Sequence, residues 1–311
     1  MAVMWLRGAG FAVLLALVGC ATPDVAGLRD RTVALPQRAD VAGVPFHPQQ
    51  EQYCGPAALA TVLGWSGLPA RQDAIASEVF TPAREGTLGH DLIGAARRHG
   101  RLAVPVADLP SLLGELAAGH PVLVLQNLGL EWYPQWHFAV AVGYDLGTNE
   151  LALRSGEERR RVVPLDTFSR TWARAGRWAL VVLPPERLPA SGNEPAVLSA
   201  AAGLERVGRF ADAAIAYDAI LRRWPDSLGA LIGRGNARYA ADDLEGAEVA
   251  YRAALDRHPR AAAAWNNLAD VLAARGARAE ALIAARRAVD LGGAHAEVYR
   301  RTLEQISGEA A

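Results

Sequence analysis

Two residues in the first half of the chain could together perform covalent chemistry, namely Cys54 and His137. Cys54 lies in the stretch HPQQEQYCGPAALATVLG, and His137 opens the run HFAVAVGYD. A thiolate is a strong nucleophile, and a histidine is the usual base that generates it. Such a pair predicts an enzyme that carries an acyl group on the cysteine sulfur.

The N-terminus bears on how this cysteine is interpreted. It reads MAVMWLRGAGFAVLLALVGC, with Arg7 followed by an apolar run from Ala9 to Val18. This run is too short to span a bilayer, which takes about 20 apolar residues, and is typical of a secretory signal. Its end, LVGC, resembles the lipobox of bacterial lipoproteins. The resemblance implies that Cys20 is acylated and anchors the protein to a membrane, and Ala21 favours the outer membrane, facing the periplasm.

The chain has two cysteines. If Cys20 is lipidated, Cys54 has no partner for an internal disulfide in an oxidising compartment. An unpaired thiol is prone to oxidation there, so its presence favours a reactive role over a structural one.

The elements that would position the pair can be predicted from local pattern. The run from Gly55 to Leu63 has helix-forming composition, and Pro56 suits a first helical turn. Cys54 is therefore expected at a helix N-terminus, where the helix dipole lowers a thiol pKa. HFAVAVGYD has the β-branched and aromatic composition of a buried strand.

Four other histidines precede the second half of the chain, and none has such a setting: His47, His90, His99 and His120. His99 and His120 are expected at helix ends, in solvent or capping carbonyls. His90 lies near a predicted helix start, and His47 in a proline-flanked loop. A histidine entering a strand can also be a satisfied core group, so His137 gains its functional interpretation from being combined with Cys54.

A glutamine five residues before CGPAAL, followed downstream by HFAVAVGYD, resembles the papain-like cysteine peptidases of the bacteriocin-processing, double-glycine leader type. The resemblance implies an α+β papain-like fold, with Cys54 as nucleophile and His137 as general base. It also implies that a glutamine contributes to the oxyanion hole. Gln49, Gln50 and Gln52 are the candidates, and Gln49 is favoured.

The third catalytic position departs from this family's pattern. Relatives place an aspartate or asparagine on the next strand, whereas here Arg154 and Ser155 occupy that place. Ser155 is the expected hydrogen-bond partner of His137, and Glu157 is an alternative. The departure leaves two further hypotheses open: a catalytically inactive domain in a scaffold lipoprotein, or a thiol acyltransferase or transglutaminase-like enzyme.

The second half of the chain is repetitive. Pro225 and Pro259 are 34 residues apart, and Ala213, Ala247 and Ala281 keep the same spacing. This resembles the tetratricopeptide repeat, which implies an all-α solenoid that offers a surface to a peptide or protein partner. We expect the segment from about 190 to 311 to fold by itself.

The predicted organisation is a signal peptide (1–19), a tether (20–41), a papain-like cysteine peptidase domain (42–185), a linker (186–193), and three repeats with a capping helix (194–307). A formal net charge of −1 argues against nucleic-acid binding. No nucleotide-binding or metal-ligand spacing is found, so no cofactor is expected. The predicted function is that of a lipid-anchored cysteine peptidase whose repeats bind protein.

Overall fold

The computed structural model describes residues 35–48, 53–82 and 86–308. The first half mixes strands and helices in the order β1 (Arg38–Asp40), α1 (Cys54–Trp65), α2 (Gln72–Val79), β2 (Phe80–Thr81), β3 (Gly86–Thr87), α3 (Gly89–Arg98), β4 (Leu102–Pro105), α4 (Leu109–Ala117), β5 (Val122–Asn127), β6 (Trp136–Asp145), β7 (Glu150–Ser155), β8 (Glu158–Pro164), α5 (Leu165–Ala173) and β9 (Ala179–Leu183). The α+β class expected for this half is confirmed.

A seven-stranded antiparallel sheet organises most of these elements, and β2 and β3 form a separate two-stranded sheet. The order of the seven-stranded sheet is β4-β9-β5-β6-β7-β8, and β1 pairs with the C-terminal end of β6. The pairing of β6 with β7 has a bulge between Ala141 and Gly143. A Cβ at Gly143 would lie 2.5 Å from the backbone oxygen of Ala39, so only glycine lets β1 approach this closely.

The helix α1 packs against β6 through an apolar surface. Leu59, Val62 and Leu63 are fully buried in the same core as Phe138 and Val140 of the strand. This confirms the predicted helix that begins at Cys54 and the predicted strand that contains His137. Burial of apolar surface on both elements fixes the start of α1 close to the start of β6.

The second half is helical throughout, with α6 (Glu194–Glu205), α7 (Phe210–Arg223), α8 (Leu228–Ala240), α9 (Leu244–Arg257), α10 (Ala262–Ala274), α11 (Arg278–Leu291) and α12 (Ala296–Ser307). Ala213, Ala247 and Ala281 are fully buried. Their small side chains allow consecutive helices to pack closely. The predicted three helix pairs and final helix are all present.

The two halves share a buried core, which bears on the prediction that the repeats fold by themselves. Val197, Ala201 and Leu204 of α6 belong to the same buried cluster as the sheet, and α6 packs on β4. A Cβ at Gly203 would lie 2.4 Å from Nε of Arg97 in α3. A fragment beginning near residue 190 would therefore expose the apolar surface of α6. Within the described residues, no helix is long and apolar enough to cross a membrane.

Candidate active site

Cys54 is the first residue of α1, and the local sequence leaves backbone donors next to its side chain. Pro56 has no N–H, and the N–H of Ala57 bonds to the carbonyl of Tyr53 at 3.0 Å. The N–H groups of Cys54 and Gly55 lie in the first turn of α1 and have no acceptor within the helix. Cys54 is a free, partly buried cysteine.

The thiol lies beside the strand that carries the histidine. The backbone N–H groups of Phe138, Gly55 and Cys54 itself all interact with the sulfur, and each of them favours the thiolate. Phe138 directly follows His137 in β6. The structure thus brings Cys54 next to the strand position predicted to carry its base.

His137 is held by the residue predicted to orient it. Its Nε2 lies 2.8 Å from Oγ of Ser155, at the end of β7. Ser155 is only 2 % exposed, so water does not compete freely for this contact. With Nε2 hydrogen-bonded to Ser155, Nδ1 is the imidazole nitrogen left to exchange a proton with a thiol.

Burial determines how both groups ionise. It raises the pKa of the Cys54 thiol above its ordinary value, although the three backbone N–H groups act in the opposite direction. Burial, with a contribution from the nearby Arg161 guanidinium, lowers the pKa of His137. The expected lowering of the thiol pKa is wrong, because desolvation of the sulfur outweighs the helix N-terminus. Both shifts favour the neutral forms of the pair, a thiol and an unprotonated imidazole.

Other predicted residues are placed elsewhere or lie outside the described part of the chain. Gln49, Gln50, Gln52 and Cys20 fall outside the described residues, so their roles stay predictions. Glu157 is exposed in the turn after β7.

His120 differs from its expected solvated position. It is 7 % exposed, and its Nδ1 lies 2.7 Å from Oε2 of the fully buried Glu115. The other oxygen of Glu115 accepts hydrogen bonds from the N–H and Oγ of Ser191 in the linker. Burial alone would raise the pKa of Glu115, but these hydrogen bonds outweigh it and lower the pKa. His120 therefore helps fasten the linker to α4 and has no contact with Cys54 in this arrangement.

Two surfaces beside the candidate pair were missed by the sequence analysis. The β5–β6 hairpin exposes Leu130, Trp132, Tyr133 and Trp136 immediately before His137. Asn127 orders this hairpin by accepting from the N–H groups of residues 129 and 135, each at 3.0 Å. The run LGLEWYPQW between two strands is the signal that could have indicated it.

The second surface is an open groove of about 670 Å³ and mixed polarity, whose lining includes Tyr53, the residue before Cys54. Tyr53 and Phe80 stack in its wall with ring centroids 5.4 Å apart. Pro48 and Ala76 also line it, while Gln72 and Asp73 give it a polar side.

Comparisons with known proteins agree with this architecture. Residues 41–180 match the family model described as Peptidase_C39 like family. Residues 199–251 and 234–296 match a tetratricopeptide repeat model. The chain therefore contains a C39-like peptidase domain followed by tetratricopeptide repeats.

Solved structures include similar chains at low identity. A C39-like peptidase from Bacillus anthracis is 18% identical, with 48% of this chain and 98% of that chain covered and a TM-score of 0.42. A double glycine motif protease from an AMS/PCAT transporter, in complex with the leader peptide, is 22% identical, with coverages of 46% and 93% and a TM-score of 0.37. The Yersinia enterocolitica type III secretion chaperone SycD, in complex with a peptide of the translocator YopD, is 19% identical, with coverages of 37% and 92% and a TM-score of 0.34. No curated protein matches the chain.

Proposed function

We propose that the C39-like domain is an active cysteine peptidase in which Cys54 is the nucleophile and His137 the general base. The observation that carries the proposal is the placement of the Cys54 thiol against the Phe138 N–H, one residue from an imidazole held by Ser155. A structural cysteine would need neither free helix N-terminal donors nor an oriented histidine nearby.

Because burial favours a neutral thiol and a neutral imidazole, the first step of peptide-bond cleavage includes removal of the thiol proton. As the sulfur attacks the peptide carbonyl carbon, Nδ1 of His137 takes the thiol proton, and the S–C bond forms. The C–N bond then breaks as that proton passes to the leaving amine. Water, deprotonated by the same imidazole, hydrolyses the thioester and frees Cys54.

The negative charge that develops on the carbonyl oxygen needs donors already in place. The N–H of Cys54 at the start of α1 is one such donor, and the amide of Gln49 is proposed as the second. The exposed apolar residues of the hairpin immediately before His137 suit a polypeptide that carries apolar residues near the bond to be cut.

The test uses a peptide library made from a bacterial proteome, with products identified by mass spectrometry. We expect new N-termini with the wild type and none above background with Cys54→Ala. His137→Ala should slow cleavage by about 10²–10⁴, the contribution of general acid–base catalysis, whereas the exposed His90→Ala serves as the matched control.

The same experiment separates the alternatives. The absence of an aspartate at the third catalytic position favours an inactive domain. Equal cleavage products from the wild type and from Cys54→Ala would show that the domain is inactive. Cys54-dependent attachment of an added primary amine, with few new N-termini, would instead identify an acyltransferase or transglutaminase-like enzyme.

We further propose that the protein is anchored to the outer membrane, facing the periplasm, through an acylated Cys20. Support comes from the LVGC sequence after a short apolar run. Cells fed labelled palmitate should label the wild type, and Cys20→Ala should remove the label and leave the protein unprocessed or in the soluble fraction. An unlabelled wild type would contradict the proposal.

A further inference from the structure

The edge strand β8 carries three consecutive arginines close to the candidate pair. Its sequence, ERRRVVP, is exposed at every position except Val163. The strand forms one end of the sheet and pairs with β7, the strand that ends at Ser155. A ligand from solution can therefore reach the side chains of β8.

Strand register places one of these arginines on the face of the sheet that holds His137 and Ser155. Arg161 is paired with Leu153 of β7, and Leu153 is paired with Ala141 of β6. Directly paired residues share a face, and so do residues two apart along a strand. Ser155 is two residues from Leu153, and His137 is four residues from Ala141. Arg161 and Ser155 are thus diagonal neighbours, with Cα atoms about 7–8 Å apart, which a long side chain can bridge.

The charges around Arg161 agree with this placement. After burial, the Arg161 guanidinium is the second cause of the lowered pKa of His137. The neighbouring Arg160 guanidinium instead lies 2.9 Å from Oδ1 of Asp40. The Arg161 side chain is 46 % exposed, and its Nη1 lies 4.0 Å from Oε1 of Glu158, which is too far for a hydrogen bond. An incoming anion can take the place of Glu158 without breaking a hydrogen bond between them.

We propose that Arg161 binds a carboxylate of the substrate polypeptide and so helps to select the peptides that Cys54 and His137 cleave. The proposal rests on the peptidase function proposed above. A guanidinium presents parallel N–H groups that match the two oxygens of a carboxylate. That carboxylate belongs either to an aspartate or glutamate side chain or to the C-terminus of the peptide, since the chemistry of the two is the same.

A carboxylate bound at Arg161 also assists the attack of the thiol. The positive charge of Arg161 disfavours the imidazolium form of His137, and the uncharged Ser155 does not compensate for it. A substrate carboxylate offsets this charge while the imidazolium forms. The substrate then supplies negative charge in place of the aspartate that the chain lacks at the third catalytic position.

The first test compares iodoacetate with iodoacetamide, which lacks the carboxylate, and needs no peptidase activity. The rate at which each reagent alkylates Cys54 in the full chain is measured by mass spectrometry. Arg161→Gln should lower the ratio of the iodoacetate rate to the iodoacetamide rate about two- to fivefold, the effect of losing a partly exposed charge pair. Arg161→Lys keeps the charge and should retain most of the ratio. Arg160→Gln is the matched control, because it removes the same charge from a residue that is paired with Asp40, and should leave the ratio nearly unchanged.

The second test measures cleavage of the bacterial-proteome peptide library before and after methyl esterification of its carboxylates. We expect the wild type to cleave the native library faster and Arg161→Gln to lose most of this preference. Cleavage sites that share an aspartate or glutamate at one position would identify a side-chain carboxylate as the ligand. Sites at a fixed distance from the end of the peptide would identify the C-terminal carboxylate.

Either test can overturn the inference. Equal rate ratios in Arg161→Gln and Arg160→Gln would do so, and so would equal cleavage of the native and esterified libraries by the wild type. If neither library shows cleavage that depends on Cys54, the proposed peptidase function is contradicted instead. The alkylation ratio still decides in that case whether Arg161 attracts a carboxylate to the candidate pair.

Discussion

At the scale of single residues, Ser155 takes the place that an aspartate or asparagine holds in the resembled family. A serine hydroxyl can hydrogen-bond Nε2 of His137 and fix the orientation of the ring, but it can donate or accept, so it does not select the tautomer. It carries no charge, and cannot stabilise the imidazolium that forms during attack. This agrees with the lowered pKa of His137 and the raised pKa of Cys54.

Replacing Ser155 tests how the missing charge affects the pair. In Ser155→Asp, a carboxylate next to the imidazole favours the protonated form, so the pKa of His137 should rise. The imidazolium in turn favours the thiolate, so the pH at which iodoacetamide alkylates Cys54 should fall. Ser155→Ala should slow turnover roughly tenfold through the lost hydrogen bond.

Ser155→Asn is the matched control, because an amide can keep a hydrogen bond to His137 without adding charge. The pH dependence of Cys54 alkylation should therefore stay as in the wild type. An unmoved profile in Ser155→Asp would mean that the imidazole and the thiol are not coupled.

At the scale of elements, the proposed catalysis depends on how closely the start of α1 approaches β3. A Cβ at Gly55 would lie 2.7 Å from Cβ of Thr87 and 2.9 Å from its Oγ1. Contacts under 3.0 Å force one of the elements to move. Gly55 therefore lets the start of α1, which carries Cys54, lie close to Thr87.

Gly55→Ala should displace the N-terminus of α1 and lower turnover by about 10²-fold, as a shift of 1 Å at a catalytic group can. Adding Thr87→Gly, which removes the opposing side chain, should restore much of the rate. Gly114→Ala in α4 is the control: its Cβ would meet nothing within 4 Å, so it should stabilise the helix by roughly 0.5–1 kcal/mol. Full activity in Gly55→Ala would show that α1 has room to adjust.

Local pattern was sufficient to predict the helix at Cys54, the strand at His137 and the repeats, since each depends on residues near in sequence. Local pattern did not predict burial or pKa values that depend on residues distant in sequence. Glu115 and Ser191 determine the burial of His120, and packing of α1 on β6 determines the thiol pKa. The hairpin of exposed aromatics was also missed, because only the folded sheet shows which of them remain uncovered.

At the scale of the whole molecule, the first repeat packs against the C39-like domain and shares its core. Its α6 completes the core beside β4, and the linker is fixed by Glu115 and by the Arg223 guanidinium, which donates to the carbonyl of Pro189 at 2.8 Å. A second cluster, formed by α8 to α11, lies further along the stack. The stability of α6 should therefore be coupled to that of the sheet across the linker. The stability of the helices of the second cluster should be less coupled to the sheet.

Two leucine substitutions of the same chemistry test this coupling. Leu204 in α6 is fully buried in the shared core, and Leu268 in α10 is 2 % exposed in the second cluster. Each change to alanine should cost about 2–5 kcal/mol. In Leu204→Ala, hydrogen exchange should accelerate in β4 and β9 as well as in α6. In Leu268→Ala, faster exchange should stay within the repeats. If β4 exchanges at the wild-type rate in Leu204→Ala while α6 opens, the two halves fold independently, as the sequence predicted.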